Sequence, residues 1–384
     1  MTARGRLLII SFSPIFSDAR VLKQIEHFSH TYDVITCGYG DKPEGVIEHY
    51  AMPRSADYQD LYGRFITLKW YNRAYWRISA VRWVRENLTH ERGQFDVILA
   101  NETEPVPVAL WLKPRLGVHA DLHEYTPRLN EEYPLWAKRI RPFHEWLCRR
   151  YVSKADSWTT VSNGLVREYD KQFHFRPELV TNATPYYELA VSEVSQPIRL
   201  VHSGACLRNR NIIEMIDALE LSGSDATLDF YLTPNHPDYL EEIKQRAGEV
   251  EGVTVHEAVP YAELIELLNR FDVGVHLLPP TNFNNTWALP NKLFDFVQAR
   301  LAVLIGPSPE MVEYVAQHGF GAVAKGFTAQ ELATQISALT VESVAAMKQA
   351  SADAAHAMSA EEQVRIWGRH IDALFARDPK MWTS

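Results

Sequence analysis

Lys292 and Asp295 stand three residues apart at the start of a helical stretch, "LPNKLFDFVQAR", directly behind Pro290. A helix start is the positive end of the peptide dipole and suits anions. A lysine there adds a cation where the backbone is already electropositive, an arrangement that fits a negative group from outside the chain. The chemistry would be a diphosphate on Lys292 and ribose hydroxyls on the Asp295 carboxylate; the plain alternative is a surface ion pair of little energy. The preceding loop, "NFNNTWA", is rich in small polar groups and favours the first reading, with Asn284, Asn285 and Thr286 as lining residues. A second stretch, "HSGACLRNRNIIEMIDAL", reads as strand, glycine turn and helix. Gly204 lets backbone and ligand approach closely, helix-start amides receive phosphate oxygens, and Arg208 and Arg210 offer forked guanidinium groups that suit diphosphates. A solvated arginine pair on a surface loop is the alternative there.

Other residues could do chemistry with less local support. His123 and Glu124 end a strand in "VHADLHEY", where a histidine is as readily a hydrogen-bonded core residue. Glu310 in "PSPEMVEYV" is an acid in a first helical turn, which the dipole favours without any ligand. Tyr261 is placed either to stack on a base or to pack at a rim. In "SPIFSDARV", after the first strand, Ser17, Asp18 and Arg20 are acceptor-side candidates, with Asp18 equally a helix cap.

These residues follow strand ends in a repeating rhythm. "RLLIISFS", "YDVITCGY", "FDVILANE", "VHADLHEY" and "DSWTTVSN" are strand candidates in the first half, most of them separated by helical stretches. Strands buried on both faces and joined by helices imply a doubly wound parallel sheet, an α/β class. The pattern lapses at "PYYELAVSEVSQP", a linker, and restarts with "IRLVHSGA", "ATLDFYLTP", "VTVHEAV", "DVGVHLLPP" and "LAVLIGPSP". Two sheets facing across a cleft would hold ligands at their carboxyl edges. The expected domains are 1–190 on the acceptor side, 191–360 on the donor side, and a C-terminal segment 361–384. In that segment Val364, Trp367, Ile371 and Leu374 share a face that packs back across the domain junction.

Composition bounds the partners. The 384 residues are 46% hydrophobic and 23% charged, the profile of a globular chain long enough for two cores. A net charge of −9 argues against a nucleic-acid binder acting by bulk electrostatics. The N-terminal apolar run meets Pro14 and Asp18 with no small-residue cleavage site, so it reads as a strand, and no run of apolar residues is long enough to span a bilayer. Three scattered cysteines, Cys37, Cys148 and Cys206, fit reduced thiols and a cytoplasmic setting. Within the acidic chain, residues 61–85 carry Arg64, Lys69, Arg73, Arg77, Arg82 and Arg85 and no acid. Leu68, Tyr71, Tyr75 and Ile78 fall on one helical face and Lys69, Arg73 and Arg77 on another. A second basic aromatic run covers 136–151. Such segments suit peripheral association with the inner face of a membrane or a lipid-diphosphate acceptor, or a helix packing its aromatic face inward.

The second half resembles the nucleotide-sugar-binding half of GT-B glycosyltransferases, especially retaining bacterial enzymes of the broad family 4-like group that includes sucrose synthases and many mannosyl- and glucosyltransferases. The residues carrying the resemblance are "HSGACLRNRN", "DVGVHLLPP", "LPNKLFDFVQARLAVLIGPSPEM" and "GFGAV". "SPIFSDARVLKQIEHFSHTYDVITCG", "DLHEYTPR" and "VSNGLVREY" extend it over nearly the whole chain. It implies two Rossmann-like domains and transfer of a sugar from a nucleotide sugar to a glycan or lipid-linked acceptor in cell-envelope polysaccharide synthesis, with retention; no metal or other cofactor is expected, because the cations would neutralise the diphosphate and no Asp-x-Asp pair stands at a strand end. It further implies that Arg210 and Lys292 neutralise the donor diphosphate, that Asp295 holds the ribose, that His123 touches the donor sugar and that Glu310 lies near it. One position departs from the pattern: where many relatives carry the first acid of a Glu-x7-Glu pair, this chain has Trp287, so backbone of residues 283–287 would contact the sugar instead. A sugar-nucleotide 2-epimerase of the same architecture and a non-catalytic nucleotide-sugar-binding subunit stay open as rivals.

Overall fold

The computed structural model describes residues 4–377, and the chain divides into two compact units. Among the described residues the first comprises 4–181, 282–284 and 363–377, and the second 182–281 and 285–362.

The first unit is built on seven parallel strands: β1 (Arg6–Pro14), β2 (Asp33–Tyr39), β3 (Glu48–Met52), β4 (Val97–Asn101), β5 (Gly117–Leu122), β6 (Ser157–Thr160) and β7 (Glu178–Leu179). Their order is β3-β2-β1-β4-β5-β6-β7. The second unit has six: β8 (Arg199–Ala205), β9 (Thr227–Thr233), β10 (Val253–Glu257), β11 (Val273–His276), β12 (Ala302–Ile305) and β13 (Gly321–Val323), ordered β10-β9-β8-β11-β12-β13 and also parallel. Leu7 to Ile10, Val97 to Ala100 and Ala302 to Ile305 are buried throughout, because helices cover both faces of each sheet. In each unit the strand order reverses once, between β1 and β4 and between β8 and β11. At such a switch point the connections leave in opposite directions and open a crevice beyond the carboxyl ends of the strands.

The ten strand candidates all form. The sequence reading omits β3, β7 and β13, and the reason is physical: β3 is a half-exposed edge strand with Glu48 and His49 in it, while β7 and β13 are two and three residues long. The helix Ala360–Phe375 buries Trp367, Ile371 and Leu374, with Val364 packed beside them, in the first unit's core against Leu7, Ile9 and Val34. Residues 378–384 of the expected C-terminal segment lie outside the described residues.

Residues 61–85 differ from expectation. They form three short helices, Gly63–Thr67, Tyr71–Tyr75 and Ser79–Asn87, where the spacing implies one. Lys69 breaks the first junction with φ +55°. The Asp60 carboxylate fixes the last start by accepting from the Ser79 backbone N–H at 2.9 Å. The single aromatic face therefore does not exist: Tyr75 and Ile78 are buried, whereas Leu68 is 47% and Trp70 48% exposed.

Candidate active site

In the second unit a glycine fixes where Lys292 goes. The helix Asn291–Gln298 lies so close on β11 that a Cβ added to Gly274 would meet the Phe296 ring at 2.3 Å. Four residues earlier on the same helix, one turn back, comes Lys292. Its ammonium rests at the end of β8, where a Cβ on Gly204, with φ +123°, would stand 2.5 Å from Nζ. Burial and the neighbouring Arg210 guanidinium lower the Lys292 pKa to about 8, against the pull of Asp295. Two cations crowded at a strand end and a helix start repel one another, and an anion bound there would relieve that repulsion.

Asp295 is buried, and its Oδ1 accepts from the Thr184 hydroxyl at 2.5 Å and from the Tyr261 hydroxyl at 3.0 Å. Burial and the Asp295 carboxylate push the Tyr261 hydroxyl up, while its ring stays 46% exposed beside the carboxylate. Glu310 is fully buried in the first turn of the helix Pro309–His318. Arg208 is engaged elsewhere: it forks onto Glu242 at 2.7 and 2.8 Å and lies over the Tyr239 ring. The loop residues separate. Asn285 donates to the Thr281 hydroxyl at 2.7 Å, and Thr286 ends the short helix Phe283–Thr286.

Asn284 groups with the first unit, where its Oδ1 accepts from the Tyr125 N–H at 2.8 Å and its Nδ2 donates to the Tyr125 carbonyl at 3.3 Å. It satisfies both the N–H and the carbonyl of Tyr125.

The first unit gathers polar groups at the ends of β1, β4 and β5. Asp121 is fully buried and receives Arg20 at 2.8 and 2.7 Å, Gln24 at 2.7 Å and Thr159 at 2.7 Å. Burial alone would raise its carboxyl, but Arg20 and His123 hold it well below the usual range. His123 is clamped by these groups: Nε2 lies 3.1 Å from Asn101 Oδ1 and 3.3 Å from Asp121 Oδ2, and Nδ1 lies 3.4 Å from Glu102 Oε1. Arg20 is buried in this network, stacked over Trp367. Asp18 caps the helix Ala19–Ser29 through the Arg20 and Val21 N–H groups, and Ser17 donates to the Pro14 carbonyl. Glu124 is exposed beside His123.

Sequence reasoning missed two groups. Glu102, the residue after β4, has φ +73° and a buried Oε2 with no partner; burial, then Glu104, Glu124 and Asp121, raise its carboxyl well above the usual range. The signal was present as two acids, Glu102 and Glu104, directly behind a buried strand. His276, at the end of β11, was the other, and a lone apolar-strand histidine carries no such signal. Among the described residues no group of three His, Cys, Asp or Glu side chains is placed to hold a metal ion.

No family model and no curated protein matches the chain. Solved structures do. A glycosyltransferase from Rickettsia africae superposes with a TM-score of 0.70 at 12% identity, over 98% of this chain and 100% of that one. The α,α-trehalose 6-phosphate synthase of Burkholderia multivorans gives 0.71 at 10% identity over 98% and 100%. Anabaena HepE, solved in complex with UDP and glucose, gives 0.69 at 14% identity over 96% and 100%. The fold is GT-B. At these identities the likeness carries architecture, so the chemistry rests on the side chains above. In GT-B terms Lys292, Arg210, Gly204 and Asp295 lie together in the C-terminal sheet unit, and His123 and Asp121 in the N-terminal one.

Proposed function

We propose that this chain is a glycosyltransferase that moves a sugar from a nucleoside-diphosphate sugar to a hydroxyl acceptor. The observation that carries the reading is the Lys292 ammonium set against Gly204 and within the field of Arg210, a mutually repelling cationic pair where a diphosphate oxygen can approach backbone. Breaking the glycosidic bond leaves negative charge on the departing diphosphate and positive charge on an oxocarbenium-like sugar. Preorganised cations at the former lower that barrier. Asp295, already accepting from Thr184 and Tyr261, would take the ribose hydroxyls, and the exposed Tyr261 ring would carry the base. His123 and Glu102 would address the sugar and its acceptor. The cations make a divalent metal unnecessary in this scheme, and retention of configuration follows the family resemblance. GT-B neighbours solved with UDP or a UDP-sugar, among them Anabaena HepE, make uridine the first base to try. The acceptor would be a glycan or lipid-linked precursor, with residues 61–85 and 136–151 holding the enzyme at the cytoplasmic face of the membrane.

The test is thermal unfolding with UDP, GDP, ADP and dTDP, with and without magnesium. A nucleotide at a hundred times its dissociation constant stabilises by about 2.7 kcal/mol. The expected outcome is a shift with one nucleotide in the absence of metal, lost in Lys292→Ala. No shift with any nucleotide, or an equal shift in the variant, removes the donor site. Turnover of the nucleotide sugar to an epimer without acceptor would replace transfer by 2-epimerisation, and binding without turnover would leave a binding subunit.

A further inference from the structure

At the switch point of the second sheet two imidazoles lie face to face. His202 on β8 and His276 on β11 have ring centroids 5.7 Å apart and an interplanar angle of 19°. The β8–β11 ladder pairs only Leu200 with Val273 and Val201 with Gly274, whereas β8 stays paired with β9 as far as Ala205. Where the first ladder stops, His202 Nδ1 donates to the Val275 carbonyl at 2.8 Å. His276 has no such use. It is 2% exposed, and both ring nitrogens are buried without a partner. Leaving a buried donor or acceptor unpaired costs about 1–3 kcal/mol. A valine or leucine would cost nothing in a strand that reads Val, Gly, Val before it and Leu, Leu after it. The fold therefore carries an unpaid polar group next to the cationic pair.

The groups that act on the His276 ring are Lys292 from the helix above, Arg210 from the loop after β8, and His202 from the adjoining strand. All three disfavour a charge on it. Burial, then Lys292, His202 and Arg210, keep His276 well below the usual imidazole range; burial and Lys292 also hold His202 at about 3. An anion settling on Lys292 and Arg210 reverses the sign of that field. A nearby opposite charge favours the protonated form by about 1–3 pKa units, and the loss of repulsion adds to this.

We propose that His276 is a proton-coupled binding group for the donor diphosphate: neutral in the free protein, protonated from solvent when the diphosphate binds, and then donating an N–H toward it. This rests on the donor-site reading above. It gives the unpartnered nitrogens a partner and supplies a third positive charge to the leaving group. Binding that takes up a proton must tighten as pH falls.

The experiment is calorimetric titration of the full chain with UDP-glucose at pH 6.5 in buffers of different ionisation enthalpy. A diphosphate diester does not titrate there, and a lysine with its pKa at about 8 is already charged, so net proton uptake reports the histidines. Uptake of a substantial fraction of a proton is expected for the wild type, with affinity rising several-fold between pH 7.5 and 6. His276→Asn should bind more weakly and without uptake. Binding with no uptake, or with uptake unchanged in the variant, overturns the proposal and leaves the donor site standing. Absence of binding by wild type to UDP-glucose and equally to GDP-mannose overturns both. Should His276→Asn fail to fold, histidine ring nitrogen resonances of the wild type decide: an imidazole that becomes doubly protonated on adding UDP-glucose supports the assignment, and rings that all stay neutral sink it.

Discussion

Lys292 owes its usefulness to being held where a charge is uncomfortable. With its pKa lowered to about 8 by burial and Arg210, the free protein begins to lose the ammonium just above neutrality, and the diphosphate of the proposed donor would restore it. Two opposite pH dependences follow. Between about 8 and the ordinary lysine value the unfolded chain holds more protons than the folded one, so this group's contribution to stability increases as pH rises. Affinity for the anion goes the other way, because only the protonated fraction binds well. Taking that fraction alone, the UDP dissociation constant should weaken roughly tenfold between pH 7 and pH 9. Titrations at both pH values check this, and Lys292→Arg, which cannot lose its charge in that range, should flatten the profile if it binds. A flat wild-type profile would show that Lys292 does not face the ligand.

At the scale of elements, what could be read from the sequence was whatever follows a period or a punctuation mark. The helix start at Pro290 and the strand rhythm are local signals. His276 was illegible because its character comes from neighbours distant in sequence, an imidazole beside a cationic pair that exists only after strands align, whereas Glu102 left a local trace in the pair Glu102 and Glu104 and only its contact with His123 needed the fold. Residues 61–85 misled for the converse reason, since a four-residue recurrence of Arg and aromatic residues survives the breaks at Lys69 and before Ser79. The arginines there lean on their own rings, Arg73 over Trp70 at 5.1 Å and Arg77 over Phe65 at 5.1 Å. A groove of about 410 Å³ nearby is lined by Lys69, Tyr71, Trp146, Arg149 and Arg150, with Glu145 paired to Arg149 at 3.3 Å. Exposed Leu68 and Trp70 at a basic rim fit a bilayer interface, where each Lys or Arg contributes about 1 kcal/mol on anionic lipid. Flotation should recover the protein with phosphatidylglycerol-containing vesicles and not with phosphatidylcholine alone, and Trp70→Ala with Arg73→Glu should release it. Equal recovery on both lipids would count against the charge argument.

Over the whole molecule the buried ionisable groups make a collective prediction about acid. His119 and His144 in the first unit and His202 and His276 in the second are buried and held below the ordinary imidazole value by burial first of all. For each, the unfolded chain binds a proton that the folded chain refuses. Stability is thus fully present above about pH 6.5 and falls as pH drops, by about 1.4 kcal/mol per pH unit for each group. Glu102 works in the opposite sense. Its raised carboxyl means that its contribution is present at low pH and is lost as pH rises through its folded value. The melting temperature should therefore fall steeply below pH 6, and Glu102→Gln, which keeps the shape and removes the charge, should melt higher than wild type at pH 8 and converge with it in acid. If Glu102 serves the acceptor, the same substitution must lower transfer while leaving UDP binding intact, a stability gained at the expense of the site. A variant that melts lower at pH 8 would instead mean that the left-handed turn at Glu102 needs its carboxylate, and the residue would then belong to the scaffold.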